Sequence, residues 1–273
     1  YYTKGEDFVF ASELKPIIKY PYFCKDINYE LIGHYMCNKY IVAPHTIFQD
    51  TYKMEPGTYL VYHKRKIQIC RYWDLINIWS HTDKDITDLI TAKRYLKDLL
   101  RDSVSKRLVA DVPVGTFLSG GIDSTLITAV AQEVSYAPID SFTIGFYDNE
   151  RNEAPYAAQI AKHIGTNHHE LYMKEEQILD MLHQLPVYYD EPFSDSSQLP
   201  SMLVSRMAAE YVTVALSGDG GDELFCGYKM YDWTWIAQHF DFLGAIENKM
   251  PWNRGILPYL PMELRAFINN RRE

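Results

Sequence analysis

From Pro113 onward the sequence alternates short apolar runs with longer amphipathic stretches, and this rhythm constrains the fold more than any other feature. Residues 114–118, 141–146, 168–173 and 212–216 read as strands. Residues 123–134, 153–164, 174–188 and 196–210 read as helices, with Gly165 as a stop signal. Strands alternating with helices predict the α/β class: a mostly parallel sheet with helices on both faces. Ligands of such sheets sit at the carboxyl ends of the strands.

Two glycine-rich segments fall at those ends. The first is Ser119-Gly120-Gly121-Ile122-Asp123-Ser124, between a strand and a helix. The glycines let the backbone turn tightly and approach a ligand. The unpaired N–H groups of the new helix, with its dipole, form an anion site. Ser119, Ser124 and Thr125 add hydroxyl donors. No lysine follows the glycines, so this is not the P-loop of kinases and GTPases. Asp123 would repel a phosphate: two unit charges about 4 Å apart cost roughly 4 kcal/mol at an effective dielectric near 20. A helix N-terminus offsets only about 0.3–1 kcal/mol of that. A divalent cation resolves the conflict, and oxygen ligands beside phosphates suit magnesium. The plainer alternative is an acid that favours the first helical turn; the adjoining glycines and serines favour magnesium.

The second segment, Ser217-Gly218-Asp219-Gly220-Gly221-Asp222-Glu223, again follows an apolar strand. A purely structural turn rarely needs so many glycines and acids together. An acidic solvent loop is the competing reading.

The first loop resembles the pyrophosphate-binding loop of N-type ATP pyrophosphatases, which cleave ATP between the α and β phosphates. The second, continued through Leu224-Phe225-Cys226-Gly227-Tyr228, resembles the synthetase domain of glutamine-dependent asparagine synthetases. The likeness extends to Ser141-Phe142-Thr143-Ile144-Gly145-Phe146, to Gly165 with His168-His169-Glu170, and to Asp190-Glu191-Pro192-Phe193 with Asp195-Ser196-Ser197. It also reaches Phe10-Ala11-Ser12-Glu13-Leu14-Lys15, Thr46-Ile47-Phe48 and Pro56-Gly57, which resemble the end of the family's glutaminase domain.

The resemblance implies two parts: residues 1–75 as the C-terminal part of an α+β N-terminal nucleophile glutaminase domain, and 76–273 as a synthetase domain of adenine-nucleotide alpha-hydrolase-like fold. No cysteine here matches the family's N-terminal nucleophile, and the family's downstream Arg-x-Pro-Phe-Leu-Asp segment and lysine find no match. The sequence thus reads as the central piece of a protein about twice as long. It further implies ATP and Mg2+ as cofactors. Leu118 and Ile144 would border the adenine or ribose; Ser119, Gly120, Gly121 and Ser124 would hold pyrophosphate. Asp123 and Asp222 would bind magnesium, and Ser217 and Gly218 would contact the nucleotide. Asp219 stands where many members carry glutamate at the catalytic position of the aminoacyl-adenylate step. The implied reaction amidates aspartate, through β-aspartyl-AMP, with ammonia from glutamine. The shorter Asp219 leaves other carboxylates open, such as a sugar acid or a β-lactam precursor. A module that holds ATP without turnover is a further alternative, and a tRNA-modifying pyrophosphatase a weaker one.

Composition narrows the partners. Net charge is −9, which argues against a nucleic-acid-binding protein. Hydrophobic content of 47% and charged content of 23% fit an ordinary globular protein and argue against disorder; small-molecule substrates are what the resemblance implies. No apolar run reaches the length of a membrane span. Cys24, Cys37, Cys70 and Cys226 form no C-x-x-C pair and read as reduced cytoplasmic thiols. The oligomeric state stays open, a homodimer included.

The first part reads as a short strand at 8–11, a helix to Met36 capped by Asp26 or Asn28, and a hairpin around His63-Lys64-Arg65-Lys66. That basic tip is a solvated hairpin end rather than a phosphate site. Residues 76–85 read as a linker before a long helix over 87–109. Adjacent strand residues face opposite ways, so His168 and His169 are read as structural rather than as a metal pair. Tyr188, Tyr189, Trp233 and Trp235 read as core or interface residues.

Overall fold

The computed structural model describes residues 1–4, 7–81, 86, 88–147, 152–174, 176, 179–229 and 231. Trp233 and Trp235 lie outside them.

In the first part, β1 (Tyr2–Thr3) pairs antiparallel with β2 (Thr51–Tyr52). Helix α1 spans Leu14–Ile18 and α2 spans Glu30–Asn38. Neither expected residue takes the N-cap position, which is Tyr29 and has no side-chain cap; Asn28, one residue earlier, accepts the Glu30 N–H at 3.2 Å through its Oδ1. The segment at 8–11 is not a strand; only Phe10 makes a bridge, to Tyr2. Strands β3 (Thr58–His63) and β4 (Lys66–Arg71) form the expected hairpin. Lys64 and Arg65 take positive φ of 49° and 59°, the sense that matches the twist of paired strands.

The expected linker at 76–85 is partly helical. Helix α3 covers Leu75–Ser80, and Asp74 caps it by accepting the Asn77 N–H at 2.9 Å. Helix α4 covers Leu89–Arg107, capped by Asp88, whose carboxylate accepts from Ile90 and Thr91.

Strands β5 (Val114–Phe117), β6 (Asp140–Phe146), β7 (Asn167–Met173) and β8 (Val214–Leu216) form one sheet in the order β7-β6-β5-β8. Every pairing in it is parallel. Helix α5 (Ile122–Val134) follows β5, and α6 (Ala154–Ile164) follows β6 and ends at Gly165. The expected single helix at 174–188 contains a 3-10 turn, Leu182–Gln184, and α7, Leu185–Tyr188. Pro186 stands in the first turn of α7; its ring would clash with the carbonyl four residues back in a continuous helix. Helix α8 (Gln198–Ala208) precedes β8, and α9 (Gly221–Phe225) follows it.

Strand alternation sends side chains to two helical layers. Thr116 and Leu118 face α5 and α6: Thr128 Oγ1 lies 3.1 Å from Thr116 Oγ1, and Leu118 packs with Ala157 and Ala161. Phe142 faces the other way, among Met207, Ala208 and Val212, with Phe117, Ile144 and Val204 around it. Helices therefore cover both faces. Helix α4 lies outside α5, where Val104 packs on Val130 and Ala131.

The two histidines obey the same alternation. His168 Nδ1 lies 2.8 Å from Ser141 Oγ. His169 stacks on Phe142 and lies against Tyr211, with Nε2 2.9 Å from Asp140 Oδ1. Tyr188 is 62% exposed, so of the core-or-interface expectation the core half does not hold for it.

Candidate active site

A cleft of about 890 Å3 opens at the carboxyl ends of β5, β6 and β8. Its volume falls in the usual range of small-molecule sites, about 300–1,000 Å3. Of the residues singled out in the sequence, Leu118, Ser119, Gly121, Asp123, Ser124, Ile144, Ser217, Gly218, Asp219 and Asp222 line it. Gly120 is not part of the lining; its φ is 91°, and a β-carbon there would point at Tyr156 and Ala157, 3.4 Å from each. The residue allows the tight turn rather than forming the wall.

The floor is built by strand register. Leu118 is 1% exposed and its N–H donates to Phe142 O at 2.9 Å, which locks the end of β5 to β6. The loop then folds on itself. Ser124 Oγ accepts from Ser119 N at 3.2 Å, lies 2.9 Å from Ser119 Oγ, and donates to Gly121 O at 3.2 Å. Gly121 N–H in turn donates to Ser119 Oγ at 3.2 Å. Helix α5 opens without a side-chain cap, which leaves N–H groups of its first turn open beside the Asp123 carboxylate.

The second loop lies directly on that helix start. A β-carbon on Gly218 would come within 2.7 Å of Ser124 N, and one on Gly221 within 2.4 Å of Asp123 Cγ. Only residues without side chains allow this approach. It brings Asp123 and Asp222 into one cleft from different loops. Asp219 lies at the same cleft, its Oδ2 accepting from Ser217 Oγ at 3.0 Å. Glu223 accepts from the Tyr228 hydroxyl at 2.8 Å, which pushes the phenol up to about 12.

Sequence reasoning does not single out Glu153, Ser201 or Val204, which also line the cleft. Ser201 and Val204 come from α8, one wall of the site. Their helical spacing reads only as an amphipathic face, with no local mark of a ligand.

The lining includes four carboxylates, Asp123, Glu153, Asp219 and Asp222, and among the described residues no lysine, arginine or histidine. No group of three or more His, Cys, Asp or Glu side chains able to hold a metal occurs among the described residues. A fully protein-enclosed ion site is thus absent among them. Magnesium does not need one: it is commonly held by one or two carboxylates together with phosphate and water. Asp123 and Asp222, beside an uncapped helix start, fit that donor set.

No helix among the described residues is long and apolar enough to cross a membrane. The asparagine synthase family model matches residues 95–264, and the glutamine amidotransferase domain model matches residues 1–73. A Methanocaldococcus jannaschii protein that carries the name asparagine synthetase (glutamine-hydrolysing) 2 is 36% identical over 92% of this chain and 49% of its own length. Asparagine synthetase (glutamine-hydrolysing) 1 of Bacillus subtilis is 32% identical over 85% of this chain and 36% of its own. The chain thus spans half or less of the length of these relatives. Among solved structures, the NH3-dependent NAD synthetase of Campylobacter jejuni aligns with a TM-score of 0.38 at 15% identity, over 65% of this chain and 92% of that one. With its synthetase-type match over more than half its length, the chain belongs to the asparagine synthase family.

Proposed function

We propose that this chain carries the ATP-cleaving, carboxylate-adenylating part of a glutamine-dependent asparagine synthetase. The observation that carries the reading is the junction at which the second glycine loop lies on the start of α5 and brings Asp123 and Asp222 to one cleft. Residues 1–75 are the glutaminase part in this reading, and 76–273 the synthetase part. The names and identities of the relatives support the substrate choice.

In this reading the nucleotide lies between the strand ends and α8. Leu118 and Ile144 border the base or ribose. Ser119, Gly121 and Ser124, turned by Gly120, hold the departing pyrophosphate, and the open N–H groups of α5 stabilise its growing charge. Ser217 and Gly218 contact the nucleotide. Asp123 and Asp222 would hold magnesium, which would offset the charge of the polyphosphate. An aspartate side-chain carboxylate oxygen attacks the α-phosphorus and the bond to the β-phosphate oxygen breaks, giving β-aspartyl-AMP and pyrophosphate. Ammonia then attacks the acyl carbon, AMP leaves, and the nitrogen loses a proton. Asp219, oriented by Ser217, orients the ammonia and accepts that proton.

ATP–pyrophosphate exchange with a panel of acids tests the reading, since adenylation needs no ammonia. Aspartate-dependent exchange is expected. Exchange with a sugar acid alone overturns the substrate and leaves the adenylation chemistry standing; ATP binding with no exchange for any acid overturns the enzyme reading. Unchanged exchange and unchanged amide formation in Asp219→Asn would remove Asp219 from its role.

A further inference from the structure

The loop that leads into α8 is gripped by the first part of the chain. Lys15 Nζ lies 2.5 Å from Asp190 Oδ1, and the Leu14 N–H donates to Asp190 Oδ2 at 2.7 Å. Lys53 Nζ lies 2.6 Å from Glu191 Oε2, and the Tyr1 hydroxyl donates to the same oxygen at 3.3 Å. The Asp190 and Glu191 side chains are only 11% and 9% exposed. Glu191 Oε1 is buried and unpartnered, a cost the surrounding contacts must offset. Two backbone contacts continue the grip: Tyr40 bridges Phe193, and the Ser194 N–H donates to Lys39 O at 2.8 Å. Helix α8 follows, and its Pro200, Ser201 and Val204 line the cleft.

We propose that Asp190 and Glu191 are positioning residues: held by Lys15 and Lys53, they fix where α8 stands, so the amidotransferase-type part of the chain sets the width of the cleft. One ion pair would leave the loop a pivot. Two adjacent acids held by lysines from separate places, Lys15 in α1 and Lys53 beyond β2, leave rotation only about the line that joins them. The backbone contacts at Phe193 and Ser194 carry the constraint to the helix itself. Only the kinetic arm of the test rests on the nucleotide reading of the cleft.

The test is amide hydrogen exchange on the chain, comparing α8 with α5 in Lys53→Met and in the milder Lys15→Met, whose lysine is more exposed. The expected result is α8 amides exchanging several-fold faster with α5 unchanged. The charge-exchanged pair, Lys53→Glu with Glu191→Lys, is expected to restore most of the α8 protection. The kinetic arm expects the KM for ATP to rise about fivefold in exchange assays, with kcat much less affected. Unchanged α8 protection in both variants overturns the proposal, and so does equal acceleration of α5 and α8. If α8 alone loosens but the parent shows no exchange with any acid, the positioning role stands and the ligase reading fails.

Discussion

The carboxylate of Asp123 lies against the backbone of Gly221: a β-carbon there would stand 2.6 Å from Asp123 Oδ1. Gly221 does not take a positive φ, so alanine suits its backbone and fails only for space. Gly221→Ala must push Asp123 aside. The expected outcome is a loss of ATP–pyrophosphate exchange of about a hundredfold, at an overpacking cost to stability of about 1–3 kcal/mol. Paired exchange assays and urea unfolding curves check both. Full activity in Gly221→Ala would separate the two loops functionally.

Asp123→Asn and Asp222→Asn keep side-chain shape and remove charge. In a cleft lined by four carboxylates, each is expected to leave the chain folded and to raise the magnesium concentration needed for half-maximal exchange by about tenfold or more. The signature is a shift along the magnesium axis rather than a uniform loss. Glu153→Gln, which removes a lining carboxylate that, like Asp219, has no metal role assigned to it, serves as the comparison. An identical magnesium titration in all three variants would remove the metal role from Asp123 and Asp222.

His168 makes stability depend on pH. Burial, the largest influence, holds its pKa below 6.5; nearby Glu170 opposes the shift and His169 adds to it. Its Nε2 is buried without a partner and gains nothing from a proton there. The unfolded chain therefore takes up this proton at higher pH than the folded chain. The contribution to stability is complete above the unfolded value and is lost as pH falls from about 6.5 through the folded value. Urea midpoints are expected to drop between about pH 7.5 and about pH 5.5, and less steeply in His168→Gln. Equal slopes would refute the assignment.

Phe142 joins the sheet to α8. It is fully buried and packs on Met207, Ala208 and Val212, with His169 stacked at 5.1 Å. Phe142→Ala is expected to cost about 3–5 kcal/mol. Denaturant unfolding measures it; a cost near zero would mean that this layer does not hold α8 on the sheet.

The parts legible in the sequence are those governed by local pattern. The period of the apolar residues marks β5 to β8 and the helices between them, and the glycine–acid composition marks both loops. Asp74 carries a capping signal for α3, yet Leu75–Ser80 is too short and too exposed for periodicity to show it. Pro186 is readable as a helix breaker, but the amphipathic spacing on either side hides it. The approach of Gly221 to Asp123 depends on two strand ends lying side by side, and that follows from strand order rather than from either motif. The pairs Lys15–Asp190 and Lys53–Glu191 join residues 175 and 138 positions apart, so no local window contains them.

The most direct test of adenylation follows the carboxylate oxygen. Aspartate carrying a heavy oxygen isotope in its side-chain carboxylate is supplied with ATP, magnesium and ammonium, and the products are analysed by mass spectrometry. Attack of that carboxylate on the α-phosphorus predicts AMP carrying one labelled oxygen, asparagine keeping the other in its side-chain amide, and unlabelled pyrophosphate. Labelled inorganic phosphate with ADP would contradict the account, because it would place the attack on the γ-phosphorus and leave the two glycine loops without the role assigned to them.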